Sequence, residues 1–268
     1  MAVLSFVYHM EMHYEEMVRR CCFTMKCIPR EDKRQRLREI EIALLPDTEF
    51  SWGEDSFGNR QIYGCVQKPH RQFILDVRGR AEVFAGEAEE EKQEETTGIF
   101  RFPHGKCVPG AGLWQYFSSL DFSGCKDDLS VCRMIMHRLY RDFTYAPGIT
   151  RADTGAEEAW NLRKGVCQDY AHIYITLLRM AGIPARYVCG LIRGEGQSHG
   201  WAEALCGEFW MGFDPTNNCL VGERYDQYIK LGDGRDAADC AINRGIMWGG
   251  GAQVQKVEAS VSAAEPGE

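Results

Sequence analysis

Apolar positions change their period along the chain near residue 99. Before that point they alternate with polar ones, the signature of half-buried strands. "LSFVYHMEMHY" and "RCCFTMKCIPR" are two strand candidates. "LREIEIALLP" is a third, with Ile40, Ile42 and Leu44 set in part against Glu39 and Glu41. A turn at "DSFGNR" separates these from "QIYGCVQ", "RQFILDVRG" and "RAEVFA". Some six strands without a helix predict a small β-sandwich over residues 1–95. The acidic run "GEAEEEKQEETTG" that follows reads as a solvated linker or loop.

After residue 99 the period lengthens. "CKDDLSVCRMIMHRLYRDF" reads as a helix with Arg133, Arg138 and Arg141 outward. Thr154 to Glu157 has the form of a capping box, opening a helix through Leu162. In "RKGVCQDYAHIYITLLRMAGIPARY", Cys167, Tyr170, Ala171, Tyr174, Leu177, Leu178 and Ala181 share one helical face. Gly165 supplies the preceding turn, and Gly182 and Pro184 end the helix. "ARYVCGLI", "HGWAEALC" and "FWMGFD" then alternate as strands. Helices preceding an antiparallel sheet give an α+β arrangement for residues 96–259, and "SVSAAEPGE", residues 260–268, reads as a disordered tail.

Composition removes several classes of function. The net charge of −8 opposes a nucleic-acid footprint. No stretch approaches the roughly 18 apolar residues of a membrane span. "MAVLSFVYHMEMHYEE" has neither a basic leader nor a cleavage-type site, so the expected location is the cytoplasm. None of the twelve cysteines is spaced C-x-x-C, which leaves zinc ribbons and thioredoxin-type pairs unsupported. Most should be free thiols, with Cys22, Cys65, Cys189 and Cys206 in apolar runs that read as core. No cofactor or metal is called for.

One cysteine has a special address. Cys167 lies in the first turn of its helix, where free N–H groups and the helix dipole favour an anion, and so a thiolate. A free cysteine also packs as a small hydrophobe, so chemistry there requires a base and an orienter. His172 lies five positions on, about 140° away around the helix, and reads as a packing or surface residue. His199 begins a strand on which it shares a face with Trp201, Glu203 and Leu205. If pairing is symmetric about Gly207–Glu208, residue 206 faces 209, 201 faces 214 and 199 faces 216. Asp214 then lies one diagonal step from His199, roughly 7–8 Å between backbones. Gln168 can touch substrate or cap the helix, and Trp201 can wall a cleft or pack. Asp169, about 200° round from Cys167, reads as favouring the helix N-terminus.

"GVCQDYAHIYITLLRMAGIPARYVCG", "SHGWAE" and "WMGFDPTNN" together resemble the core of bacterial transglutaminase-like proteins, strongly over residues 140–250. "DSFGNR" and "KPHRQFILDV" resemble the β domain that precedes that core in many of them. The resemblance implies a papain-like fold with Cys167 as nucleophile, His199 as base and Asp214 as orienter. One departure is Gly200, where the family usually has alanine. The implied reaction is acyl transfer through a thioester. Resolution by water, giving a peptidase or amidase, is favoured, because amine transfer needs a site that excludes water and the short strand connection offers no obvious lid. Transfer to an amine is the alternative, and a peptide or protein-derived amide is the expected substrate in both. A non-catalytic binding module of the same fold is a lesser alternative. A redox or metal protein drawing on the twelve cysteines is another class again.

Overall fold

The structure, a computed structural model, describes residues 1–86, 90–91 and 97–264. Most of the acidic run expected to link two domains lies outside those residues, as do residues 265–268. Strand β1 (Ala2–Met25) is followed by β2 (Gln35–Leu45), β3 (Phe50–Glu54), β4 (Arg60–Val66), β5 (His70–Val83) and the short β6 (Glu90–Glu91). The second part begins with α1 (Ala111–Ser118) and α2 (Asp128–Asp142). A parallel two-residue pair, β7 (Thr144–Tyr145) and β8 (Lys164–Gly165), flanks α3 (Ala156–Leu162), and α4 (Cys167–Met180) follows. Strands β9 (Ala185–Ile192), β10 (Gly194–Gly196), β11 (His199–Cys206), β12 (Phe209–Asp214), β13 (Cys219–Leu220) and β14 (Tyr228–Gly234) come next, then β15 (Asn243–Gly249) and β16 (Gln253–Ala263).

The first two strand candidates are one continuous strand. Along β1 the even positions Leu4, Phe6, Tyr8, Met10, Met12, Tyr14 and Val18 are buried, then the odd positions Cys21, Phe23 and Met25. The change of parity falls where the ladder to β15 shifts register between Val18 and Arg20. An extra residue there turns the strand over, so one core face continues along the whole length. Before the bulge β1 pairs with β5 and β16; beyond it, with β4 and β15. The result is one curled eight-stranded sheet closing over a single apolar core.

That sheet is completed from the far end of the chain. β15 and β16 fall within residues 243–263, yet both pair with β1. The tail expected over residues 260–268 is not one where described: residues 260–263 belong to β16 and Val261 is buried against the sheet. Leu191 of β9 and Ile229 and Leu231 of β14 extend into the same core, so the two halves of the molecule share an apolar interior.

The second sheet runs β13-β12-β11-β9-β14 and is antiparallel throughout. Helix α4 packs its apolar stripe, including Tyr170, Ala171, Tyr174, Leu177 and Leu178, against Ala202 and Ala204 of β11. Arg133 and Arg141 of α2 face solvent as expected. The expected capping box does not form. Helix α3 starts after Gly155, and the Thr154 hydroxyl instead accepts from the Arg151 N–H. Glu157 caps a different helix: its carboxylate accepts from the N–H groups of Gly110, Gly112 and Leu113 at the start of α1, at 2.9, 2.7 and 3.0 Å. Those donors have no partner within α1, and a carboxylate there also complements the helix dipole.

Candidate active site

Four segments converge on one point: the start of α4, the start of β11, the end of β12 and the start of β14. Cys167 is the first residue of α4, half-buried, after the extended Val166. Asp169 fixes that helix start, accepting from the Val166 N–H at 2.8 Å and from the Thr150 hydroxyl at 2.6 Å. Burial raises its carboxyl above the usual range, against those two hydrogen bonds. The expectation that Asp169 serves the helix end agrees with this placement. The N–H groups of Asp169 and Tyr170 donate to the Val166 carbonyl at 2.9 and 3.1 Å, and those of Cys167 and Gln168 come before the first intrahelical acceptor.

The β11–β12 hairpin has the expected register. Cys206 faces Phe209, and the ladder continues without a slip to Ala202 opposite Phe213. Asp214 ends β12, and its Oδ2 accepts from His199 Nε2 at 2.7 Å. The same oxygen accepts from Asn217 Nδ2 at 2.7 Å and from the Tyr228 hydroxyl at 2.8 Å. Oδ1 accepts from the N–H groups of Thr216 and Asn217 at 2.9 and 3.1 Å. Five donors thus surround a carboxylate with no exposed surface. Burial pushes its pKa up, but the His199 hydrogen bond and charge, with Asn217 and Tyr228, outweigh it and hold Asp214 below the usual range.

His199 stands between this carboxylate and the Cys167 sulfur. Burial opposes a charged ring. Hydrogen bonds to Asp214 and Cys167, with Coulombic attraction from the same groups, overcome it and push the His199 pKa up to about 10. The ring lies nearly parallel to the Trp201 indole, 6.1 Å between centroids and 28° apart, and Tyr228 packs on Trp201 edge-on. Trp201 is 1% exposed, so it supports the imidazole from beneath rather than lining open space. The indole fits because Gly190 has no side chain; a Cβ there would meet it at 2.3 Å.

His172 is elsewhere in role. It is fully buried, its Nε2 accepts from the Ala237 N–H at 3.1 Å, and its ring packs on Tyr187. Burial pushes its pKa down to about 3, so it is a neutral packing residue. Gln168 donates to the Ala152 carbonyl at 3.2 Å and lines a cleft of about 600 Å³. Ser198, Tyr187, Lys106, Arg244 and Gln255 contribute to the same cleft, which therefore lies between the two halves of the molecule. Among the described residues, no three His, Cys, Asp or Glu side chains are grouped to hold a metal ion. Sequence pattern does not single out Tyr228; its role depends on β14 lying beside β9, a pairing that no local signal encodes.

The Gly200 departure has a local counterpart. A Cβ at Gly200 would lie 2.2 Å from the Tyr187 hydroxyl and 2.9 Å from its ring. Tyr187 fills the space where an alanine methyl would project, directly across the β9–β11 ladder from Ala202.

Comparison with known proteins agrees with this architecture. Residues 119–215 match the transglutaminase-like superfamily, and residues 4–82 match the bacterial transglutaminase-like N-terminal region. An uncharacterized protein of Mycobacterium tuberculosis is 29% identical over 252 residues, 82% of this chain and 79% of that protein. A protein-glutamine gamma-glutamyltransferase of Pseudomonas aeruginosa is 32% identical over 126 residues, 40% of this chain and 19% of that one. A crystal structure of a candidate cysteine protease from Cytophaga hutchinsonii superposes with a TM-score of 0.78 at 19% identity, covering 100% of this chain and 92% of that chain. That likeness establishes the papain-like, transglutaminase-type fold.

Proposed function

Because the chain belongs to the transglutaminase-like superfamily, we propose that it is a thiol-dependent acyl-transfer enzyme, with Cys167 as nucleophile, His199 as acid–base and Asp214 as orienter. The observation that carries this reading is the His199–Asp214 hydrogen bond, on a carboxylate that takes five donors in all, with the imidazole beside Cys167. An imidazolium beside the sulfur stabilises a thiolate by charge. The thiolate attacks an amide carbonyl, and its oxygen takes negative charge against the free N–H groups of the α4 start. His199 then gives its proton to the leaving amine. A thioester on Cys167 remains, and water, deprotonated by His199, resolves it.

Hydrolysis of a peptide or related amide is the preferred outcome. In its support, Gln168 and Ser198, the chain neighbours of Cys167 and His199, line the open cleft, and the β11–β12 connection is the two-residue turn Gly207–Glu208, which gives no cover. Transfer to an amine is the second reading, favoured by the resemblance to the Pseudomonas aeruginosa gamma-glutamyltransferase. The same residues serve both.

A peptide library incubated with the protein, with and without a primary amine, tests the proposal. Cleaved amides whose yield is indifferent to the amine support hydrolysis; amine adducts support transfer. Cys167→Ala and His199→Ala should each abolish turnover. His172→Ala should lower stability but keep the turnover of the folded fraction. Turnover that survives Cys167→Ala would sink the assignment.

A further inference from the structure

Cys22 and Cys65, expected in the core, lie elsewhere. Both are half-buried rather than enclosed. They face each other directly across the β1–β4 ladder, with their sulfurs 2.7 Å apart. Opposed residues of antiparallel strands have Cα atoms about 4.5–5.5 Å apart. That spacing falls within the roughly 4.4–6.8 Å that a disulfide spans, so the backbone can hold the pair reduced or oxidised without moving. The Arg20 Nε donates to the Cys65 sulfur at 3.2 Å. Its guanidinium is itself positioned over the Trp248 ring, 5.4 Å from the centroid. The pair opens on a cavity of about 1080 Å³, lined also by Phe50, Tyr63, Arg244 and Ile246.

We propose that Cys22 and Cys65 form a two-electron thiol–disulfide couple, distinct from the Cys167 centre, that exchanges with small disulfides of the glutathione class. The two thiols have different roles. The hydrogen bonds from Cys22 and from Arg20 lower the Cys65 pKa, while the shared proton raises that of Cys22. Cys65 is therefore the attacking thiolate and Cys22 the resolving thiol. Cys65 attacks one sulfur of the small disulfide, whose S–S bond breaks, and one small thiolate leaves. Cys22 then gives up its proton and attacks the Cys65 sulfur, forming the Cys22–Cys65 bond and expelling the second small thiolate. Two electrons pass from the protein to the small disulfide, which ends as two thiols. The other close pair is a useful contrast. Cys132 and Cys206 lie 3.8 Å apart. The hydrogen bond from Cys206, then burial, raises the pKa of Cys132, which has no exposed surface. That pair lacks the access that exchange needs.

The test uses the full chain carrying Cys167→Ala, so that the catalytic thiol forms no mixed disulfide. The protein is equilibrated with reduced and oxidised glutathione at graded ratios, quenched by alkylation and digested with trypsin. The expected product at oxidising ratios joins the peptide of residues 21–26 to that of residues 61–71. Fragmentation of that product should place the bond on Cys22, and reduction should reverse it fully. Cys21→Ser should keep the linkage and Cys22→Ser should replace it by a stable mixed disulfide on Cys65. A bond mapped to Cys21 would overturn the proposal. So would thiols that stay reduced throughout, or a mixed disulfide on Cys65 that never resolves in the chain retaining Cys22. Because fragmentation locates the bond without further substitution, misfolding of Cys22→Ser leaves the decision intact.

Discussion

Asp214 shows how a buried charge is kept useful. A carboxylate without water is costly unless its lone pairs are filled, and here five donors fill them. Asp214→Asn removes the charge that favours the imidazolium but keeps a residue able to form the turn before Pro215. Turnover should fall steeply, and at neutral pH the melt should fall as well, because the raised His199 pKa and the stability linked to it rest largely on that carboxylate; the turnover of the folded fraction is the readout. The ceiling is about 10⁴-fold, the loss when a serine protease's aspartate is replaced; a thiol, more nucleophilic on its own, should lose less. Unchanged turnover with an unchanged melt would remove Asp214 from the mechanism. His199 carries the pH dependence. Its pKa is raised from the ordinary 6.5 to about 10, so protonation favours the folded state. That contribution is full below pH 6.5, declines as pH rises, and is lost above about 10. Denaturant midpoints for the parent and His199→Ala should differ most below pH 6.5 and converge above 10. A gap that widens with rising pH would contradict the assigned charge state.

Pairs of elements fix the position of each of these side chains, and some of that was readable in advance. The β11–β12 register follows from alternation and a two-residue turn, both local, and the strand limits at His199–Cys206 and Phe209–Asp214 match the sequence pattern. The start of α4 was equally plain from its apolar stripe. Partners brought by distant segments were not. The local pattern assigns Glu157 to the start of its own helix, yet it caps α1, and Tyr228 reaches Asp214 only because β14 lies beside β9. The β9–β11 pair makes a testable unit. Gly200→Ala should press on the Tyr187 hydroxyl and destabilise by about 1–3 kcal/mol, the usual cost of overpacking. Tyr187→Phe removes the nearest atom, so the double variant should recover part of that loss. A double-mutant cycle on denaturant midpoints reads the coupling. Additive effects would mean that the two side chains do not share this space.

At the scale of the molecule, the change of period near residue 99 suggested two consecutive units, yet the chain returns at its end to the sheet where it began. Alternation cannot reveal this, because a strand's pattern states which face is buried and not which strand lies beside it. Two further features tie the halves together. Arg30, beyond the end of β1, donates to Asp233 of β14 at 2.7 Å. Lys230 bridges Asp233 to Glu203 of β11, which also accepts from Arg186 of β9 at 2.6 Å. This ionic group is almost wholly buried, and losing one member of such a network is strongly destabilising. Beside it, Leu191, Ile229 and Leu231 enter the core of the curled sheet. A chain ending at residue 242 would keep the Cys167–His199–Asp214 line and the ionic group intact in sequence. It would lose both strands that complete β1. Buried Ala259 and Val261 would go with them, as would Arg244 and Gln255 of the cleft. The truncated chain should lose the parent's cooperative melt and elute as an aggregate, and the half that carries Cys167 should fail with the sheet because the two share an interior. Circular dichroism melts and size-exclusion chromatography of both chains check this. A truncated chain that melts at the parent's temperature, as a monomer, would show that the second half stands without the returning strands and that their pairing serves only the cleft.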